Sequence, residues 1–364
     1  MRTADLPRLV AALCVVAVVG SGCGGRAPTN GNRTSAASDA PTTSATADRS
    51  YPPSASPDAA VPTSAPQVRY DDLEPSPEDA FEDRADLYRD GCQVTMAGES
   101  LTGCTYGATV EDATATIAVV GDSKAAQWAP ALQELARTRG WRIRLYTKSA
   151  CAPVAVPLVR DGAEFRSCTT YNRLVDDELA RHPVDLVLAG SSADNALVTR
   201  ELAPGEDRDT VAQDLFVQGE MQAWAGWIAA GSRVAVISDT PKPVVRRQAF
   251  DVPTCLREHR DDLAACAFDR AAGIAASGRD VQVRGVRAAG GVDVSPALLG
   301  RDVPAGRSAD LAWIDPVRLV CPGTTCQPND GDVLVYRDGS HLSRTYVETL
   351  TWRLGRVMTA LGLP

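Results

Sequence analysis

Hydrophobic and polar positions divide the chain into contrasting stretches. Residues 9–19 form a continuous apolar run preceded by Arg2 and Arg8. That run is too short to span a bilayer, which takes about 20 residues. Residues 26–67 are mostly Ser, Thr, Ala, Pro, Asp and Gly with almost no large apolar side chains. Such a segment cannot bury enough surface to offset the entropy of ordering it, so disorder is expected there. Residues 68–113 are acidic and are expected to be a partly ordered extension. From residue 115 the pattern changes to short apolar runs alternating with amphipathic stretches. Residues 116–120 (TIAVV) read as a buried strand. Ala129, Leu132, Leu135 and Ala136 then lie on one helical face that Gly140 ends. Residues 141–146, 184–189 and 233–238 read as three more strands. Helices are predicted around Tyr171, Leu174, Val175 and Leu179, over 211–230, and at the C-terminus, where Val347, Leu350, Leu354, Val357 and Leu361 share a face. An apolar strand is predicted over 333–336. Alternation of this kind means an α/β fold: a parallel sheet with helices on both faces.

The start of the chain adds a compartment. A basic segment, a short apolar core and the small residues Gly20, Ser21 and Gly22 read as a secretory signal over residues 1–22. Cys23 follows directly, which resembles the bacterial lipobox, whose cysteine becomes the lipid attachment site. The expectation is therefore a lipid-anchored, extracytoplasmic protein on the outer face of the cell membrane. Residues 23–67 would tether a folded domain over 114–364. The eight cysteines past Cys23 form four close sequence pairs: Cys92 and Cys104, Cys151 and Cys168, Cys255 and Cys266, Cys321 and Cys326. In an exported chain these are expected as nearest-neighbour disulfides. No Cys-x-x-Cys is present and the histidines are scattered, so neither a metal site nor a cofactor is expected. The net charge of −9 argues against nucleic acid as a partner, since that needs a basic face.

Ligands of parallel sheets bind at the carboxyl ends of the strands. The positions to inspect are thus Gly121-Asp122-Ser123, residues 148–151, residues 190–195 and Asp239-Thr240-Pro241. A serine hydroxyl needs a base to take its proton, and the base needs a group to orient it. Of the three histidines, His182 sits at a helix end and His259 in a charged, solvated stretch. His341 lies on a loop before the C-terminal helix, with Asp338 three residues earlier. That spacing can return the carboxylate to one imidazole nitrogen, although Asp-Gly-Ser is also good turn chemistry. Ser123, where the first buried strand gives way to a helix, is the candidate nucleophile; capping of that helix is the competing reading.

These motifs resemble the SGNH (GDSL-type) hydrolases, and more closely the SGNH domain fused to type-three membrane O-acyltransferases. GDS after the first strand, DxxH near the C-terminus, TKSACAP, ISDTPKP, FDVPTC, LVCPGTTC and VLVYRDGSHLS carry the likeness from about residue 115 onward. It implies a three-layer, flavodoxin-like fold, Ser123 as nucleophile, His341 as general base and acid, Asp338 as orienter, and an acyl-serine intermediate passed to water or a sugar hydroxyl. It also implies an acylated glycan or glycolipid of the cell envelope as substrate, with a non-catalytic glycan-binding lipoprotein of the same fold as the alternative. The oxyanion hole is assigned to the N–H of Ser149 or Ala150 together with Asn195, for which a cap or turn role competes. Lys124 stands where the family has histidine, and is read as a solvated helix-start residue. No apolar stretch is long enough for the membrane acyltransferase portion, so the domain is expected to act alone or with a separate membrane acyltransferase as partner.

Overall fold

The computed structural model describes residues 68–303 and 309–364. The expected signal segment, Cys23 and the linker lie outside these residues. A seven-stranded sheet organises the rest. Its strands are β1 (Thr105–Gly107), β2 (Ala115–Gly121), β3 (Trp141–Thr147), β4 (Leu186–Gly190), β5 (Arg233–Ile237), β6 (Val292–Asp293) and β7 (Leu311–Ile314). Their spatial order is β1-β3-β2-β4-β5-β7-β6. All neighbours are parallel except β1, which runs antiparallel to β3.

Both faces of the sheet are covered, which is why its central strands are apolar but for Thr116 and Arg233 near their starts. Alternate residues divide between two cores. Ile117, Val119, Leu186, Leu188, Ala235 and Ile237 face one core. It is completed by helices α1 (Ser123–Ala126), α2 (Ala129–Arg139) and two C-terminal helices. Ala118, Val120, Val187, Ala189, Val234 and Val236 face the other core. That side is covered by α3 (Arg166–Arg181), α4 (Arg208–Ala229) and α5 (Arg279–Ala288). The layers are those of the expected α/β fold.

The C-terminal amphipathic pattern is two helices, α6 (Arg344–Thr349) and α7 (Thr351–Ala360), with Leu350 between them. The strand expected over 333–336 is only two residues, Val333–Leu334, in a small hairpin with Asn329–Asp330 outside the main sheet. The last two strands, β7 and the edge strand β6, carried too short a pattern to be read: β7 is four residues and β6 two.

Residues 68–113 pack on the same core, through Tyr70, Leu73, Ala80, Ala85 and Leu87, and supply β1. They also brace the start of α6. The Asp83 carbonyl accepts from the Arg344 N–H at 2.9 Å, and Arg344 pairs with Asp86 at 2.7 Å. The four disulfides join Cys92–Cys104, Cys151–Cys168, Cys255–Cys266 and Cys321–Cys326, the expected nearest-neighbour pairs. No helix among the described residues is long and apolar enough to cross a membrane.

Candidate active site

At the carboxyl end of β2 the chain must turn into α1 within one residue. Gly121 has φ of +143°, and a Cβ there would lie 1.8 Å from the Gly190 carbonyl oxygen, so no side chain fits. Asp122 then caps α1. One carboxylate oxygen accepts the Lys124 N–H at 2.7 Å, and the other accepts the Ser192 N–H at 3.0 Å. The cap therefore also fixes the loop after β4. Burial raises the Asp122 carboxyl to about 6, against the pull of these two backbone donors. Ser123 follows at the first position of α1, at the rim of a small cavity.

The second half of the site is the loop between Tyr336 and Leu342, which bridge each other across its base. Asp338 Oδ1 accepts the backbone N–H groups of Ser340 and His341, each at 2.7 Å. Asp338 Oδ2 lies 2.9 Å from His341 Nδ1. His341 Nε2 lies 2.7 Å from Ser123 Oγ. The structure thus brings Ser123, His341 and Asp338 into one hydrogen-bonded line. Asp338 makes the contacts of a turn through Oδ1 and faces the imidazole with both oxygens, Oδ1 also lying 3.1 Å from Nδ1. Gln127 Oε1 accepts the Leu342 N–H at 3.1 Å and ties this loop to the end of α1.

The electrostatics fit a neutral imidazole beside an ionised carboxylate. Burial works to raise the Asp338 carboxyl, but its hydrogen bond to His341, the imidazole's charge and the nearby Arg337 hold it well below the usual range. Burial lowers His341, opposed by Asp338 and reinforced by the charges of Lys124 and Arg337. A base whose proton affinity is reduced in this way is unprotonated, and able to accept a proton, at neutral pH.

Lys124 corrects the sequence reading. It is not solvated: its side chain is only 3% exposed. Its ammonium lies 3.1 Å from Asp239 Oδ1, at the end of β5, and donates to the Ser340 carbonyl. The loop carrying His341 roofs the start of α1, so the lysine has nowhere to extend except along the sheet edge. Burial lowers its proton affinity and Asp239 opposes that effect. The signal for a partner was present, since Asp239 sits among the residues that directly follow a strand.

The cavity is about 240 Å3 and is lined by Ser123, His341, Ala150, Ala152, Arg160 and the segment Ser192–Asp194, among others. Of the three residues expected to form an oxyanion hole, only Ala150 lines it. Ala150 has φ of 55°. The Ser149 N–H is spent on the Val94 carbonyl at 2.8 Å. Asn195 is exposed and absent from the lining. The Ser192 bond to Asp122 sets residues 192–194 against the cavity, and the Asn195 carbonyl instead accepts the Val159 N–H at 2.9 Å. Arg160, paired with Asp194 at 2.6 Å, lines the cavity and was not legible in sequence. It reaches the site because the hairpin bearing it lies within the loop closed by Cys151–Cys168. His182 and His259 are exposed and are not part of the cavity.

A family model described as the SGNH domain (fused to AT3 domains) matches residues 91–354. Among solved structures, the chain is similar to the periplasmic domain of the lipopolysaccharide acetyltransferase of Salmonella ser. Paratyphi A. The two share 14% identity over 78% of this chain and 97% of that one, with a TM-score of 0.49. Among curated proteins, no match was found.

Proposed function

The chain belongs to the SGNH domain family, and from that premise we propose that it is an exported serine esterase or O-acyltransferase. Its substrates are O-acyl groups, acetyl above all, on cell-envelope glycans or glycolipids. The observation that carries this reading is the unbroken line from Ser123 Oγ through His341 to Asp338, at 2.7 and 2.9 Å.

In this mechanism the Ser123 oxygen attacks the ester carbonyl while His341 Nε2 takes the hydroxyl proton. Asp338 holds the ring with Nδ1–H toward itself and stabilises the imidazolium. In this reading the tetrahedral oxyanion is met by the backbone N–H groups of Ser123 and Ala150, both residues of the cavity lining. As the intermediate collapses, the departing sugar oxygen takes the proton from His341 and leaves an acyl-serine. Water or a second sugar hydroxyl then gives its proton to His341 and attacks the acyl carbon, and the bond to Ser123 Oγ breaks as His341 returns that proton to the serine oxygen. The choice between these two nucleophiles is the choice between esterase and transferase.

The small cavity, walled on its apolar side by Ala150 and Ala152, favours a short acyl group. Four disulfides fit an oxidising, extracytoplasmic compartment. The anchor at Cys23 would hold the domain at the membrane, where a membrane acyltransferase could supply acyl groups.

Incubating the protein with an O-acetylated envelope glycan, with and without a deacetylated acceptor glycan, tests this reading. Acetate release or acetyl transfer that depends on Ser123 supports it. Neither product, from a folded protein, overturns it.

A further inference from the structure

Beyond the serine cavity, the carboxyl edge of the sheet carries a second hollow of about 370 Å3, at the ends of β6 and β7. Arg270, Arg279, Arg301 and Arg318 line it, against the carboxylates of Asp293 and Asp315. Arg279 is already neutralised, bound to Asp315 at 2.6 Å and to Asp280 at 2.6 Å. Among the described residues, Arg270, Arg301 and Arg318 form no ion pair, and Arg301 and Arg318 are exposed. Arg270 donates to the Cys321 and Pro322 carbonyls, and with four guanidinium groups against two carboxylates the lining is net positive on a chain whose net charge is −9. An excess of positive charge in one hollow attracts an anion from outside.

The hollow adjoins the serine cavity. Gly278, immediately before Arg279, donates its N–H to Asp239 Oδ2 at 3.0 Å. Asp239 is the partner of Lys124. Gly278 also lies so close to Ala193, in the wall of the serine cavity, that a Cβ would come within 2.3 Å of the Ala193 nitrogen. In the sheet, β2 and β7 are separated by β4 and β5. Three strand spacings of about 4.8 Å put their carboxyl ends on the order of 14 Å apart, a reach of a few sugar units.

We propose that this hollow is a second glycan subsite, which binds an anionic substituent (a carboxylate or a phosphate) of the same polymer whose ester is presented to Ser123. Guanidinium groups suit both anions because their paired N–H donors match two oxygens at once. The inference rests on the glycan reading above and narrows it to acidic glycans.

The test uses calorimetry on the full chain carrying Ser123→Ala, so that binding is read without turnover. The probes are an oligogalacturonate, a glycerol phosphate oligomer and a neutral cello-oligosaccharide. At least one anionic probe is expected to bind about tenfold or more tighter than the neutral one, less tightly as salt rises. Adding Arg301→Ala and Arg318→Ala, both exposed positions, should erase that preference; the tighter anion identifies the substituent. Equal binding of all probes, no binding, or a preference that survives the two substitutions overturns the subsite. A separate measurement keeps the two readings apart. Arg301→Ala/Arg318→Ala in the wild-type background should hydrolyse p-nitrophenyl acetate at the parent rate. Absence of that activity in the parent would count against the serine site and not against the hollow.

Discussion

The ammonium of Lys124 and the carboxylate of Asp239 lie 3.1 Å apart, at 3% and 0% side-chain exposure. Lys124 directly follows the candidate nucleophile and its ammonium also donates to the carbonyl of Ser340, the residue before the candidate base. One side chain therefore spans the turn after β2, the end of β5 and the His341 loop. Removing one partner of a buried pair costs up to about 3–5 kcal/mol, here reduced because Lys242 lies 3.6 Å from Asp239 Oδ2. Lys124→Met should lower the urea midpoint accordingly, and Lys124→Met/Asp239→Asn should recover part of it.

The same lysine has a kinetic signature. Its charge helps to keep His341 below the usual imidazole range. Without that charge the imidazole holds its proton to higher pH. The acidic limb of the kcat/KM profile, which reports deprotonation of the free base, should then move to higher pH in Lys124→Gln. An unmoved limb would remove the electrostatic part of this role.

Asp338 receives two backbone N–H groups on Oδ1 and faces the imidazole with both oxygens, Oδ2 the nearer. Asp338→Asn can keep the loop closed through its remaining oxygen but cannot stabilise an imidazolium. It should leave the fold intact and reduce kcat by roughly 10³–10⁴. Circular dichroism and steady-state rates on the same preparation check both halves.

Glu220 sits on α4 with its side chain buried and one carboxylate oxygen without a partner. Burial, opposed by the charge of Arg284, raises it to about 8. The folded state thus keeps a proton that the unfolded chain releases above about pH 4.3. Its stabilising contribution is complete below that pH and is lost as pH rises through about 8, following proton linkage. Glu220→Gln should match the parent at pH 4 and exceed it by a few kcal/mol at pH 8.5. Urea unfolding at the two pH values measures this; equal gains at both would contradict it.

The central strands, the four disulfide pairs and the line Ser123–His341–Asp338 were legible because each has a local signal. A strand covered on both faces is apolar nearly throughout, cysteines close in sequence can meet without long-range closure, and Asp338 reaches His341 within one turn. Lys124 was misread because its burial comes from a loop more than two hundred residues away. Asn195 was offered as an oxyanion donor as the nearest match to the family's asparagine, whereas a bond from Ser192 to Asp122 fixes how that segment meets the cavity. Arg160 has no sequence signal, since a disulfide loop carries it to the site. Strands β6 and β7 are too short to show a period.

The account stands or falls on a covalent bond to Ser123. The direct measurement is acid-quenched peptide mass spectrometry after brief exposure to p-nitrophenyl acetate. It should find an acetyl group on the peptide containing Ser123, accumulating as p-nitrophenol is released, and missing from Ser123→Ala and greatly reduced in His341→Ala. Release of p-nitrophenol at the parent rate by Ser123→Ala, or an acetyl group found only on other residues, would contradict the mechanism.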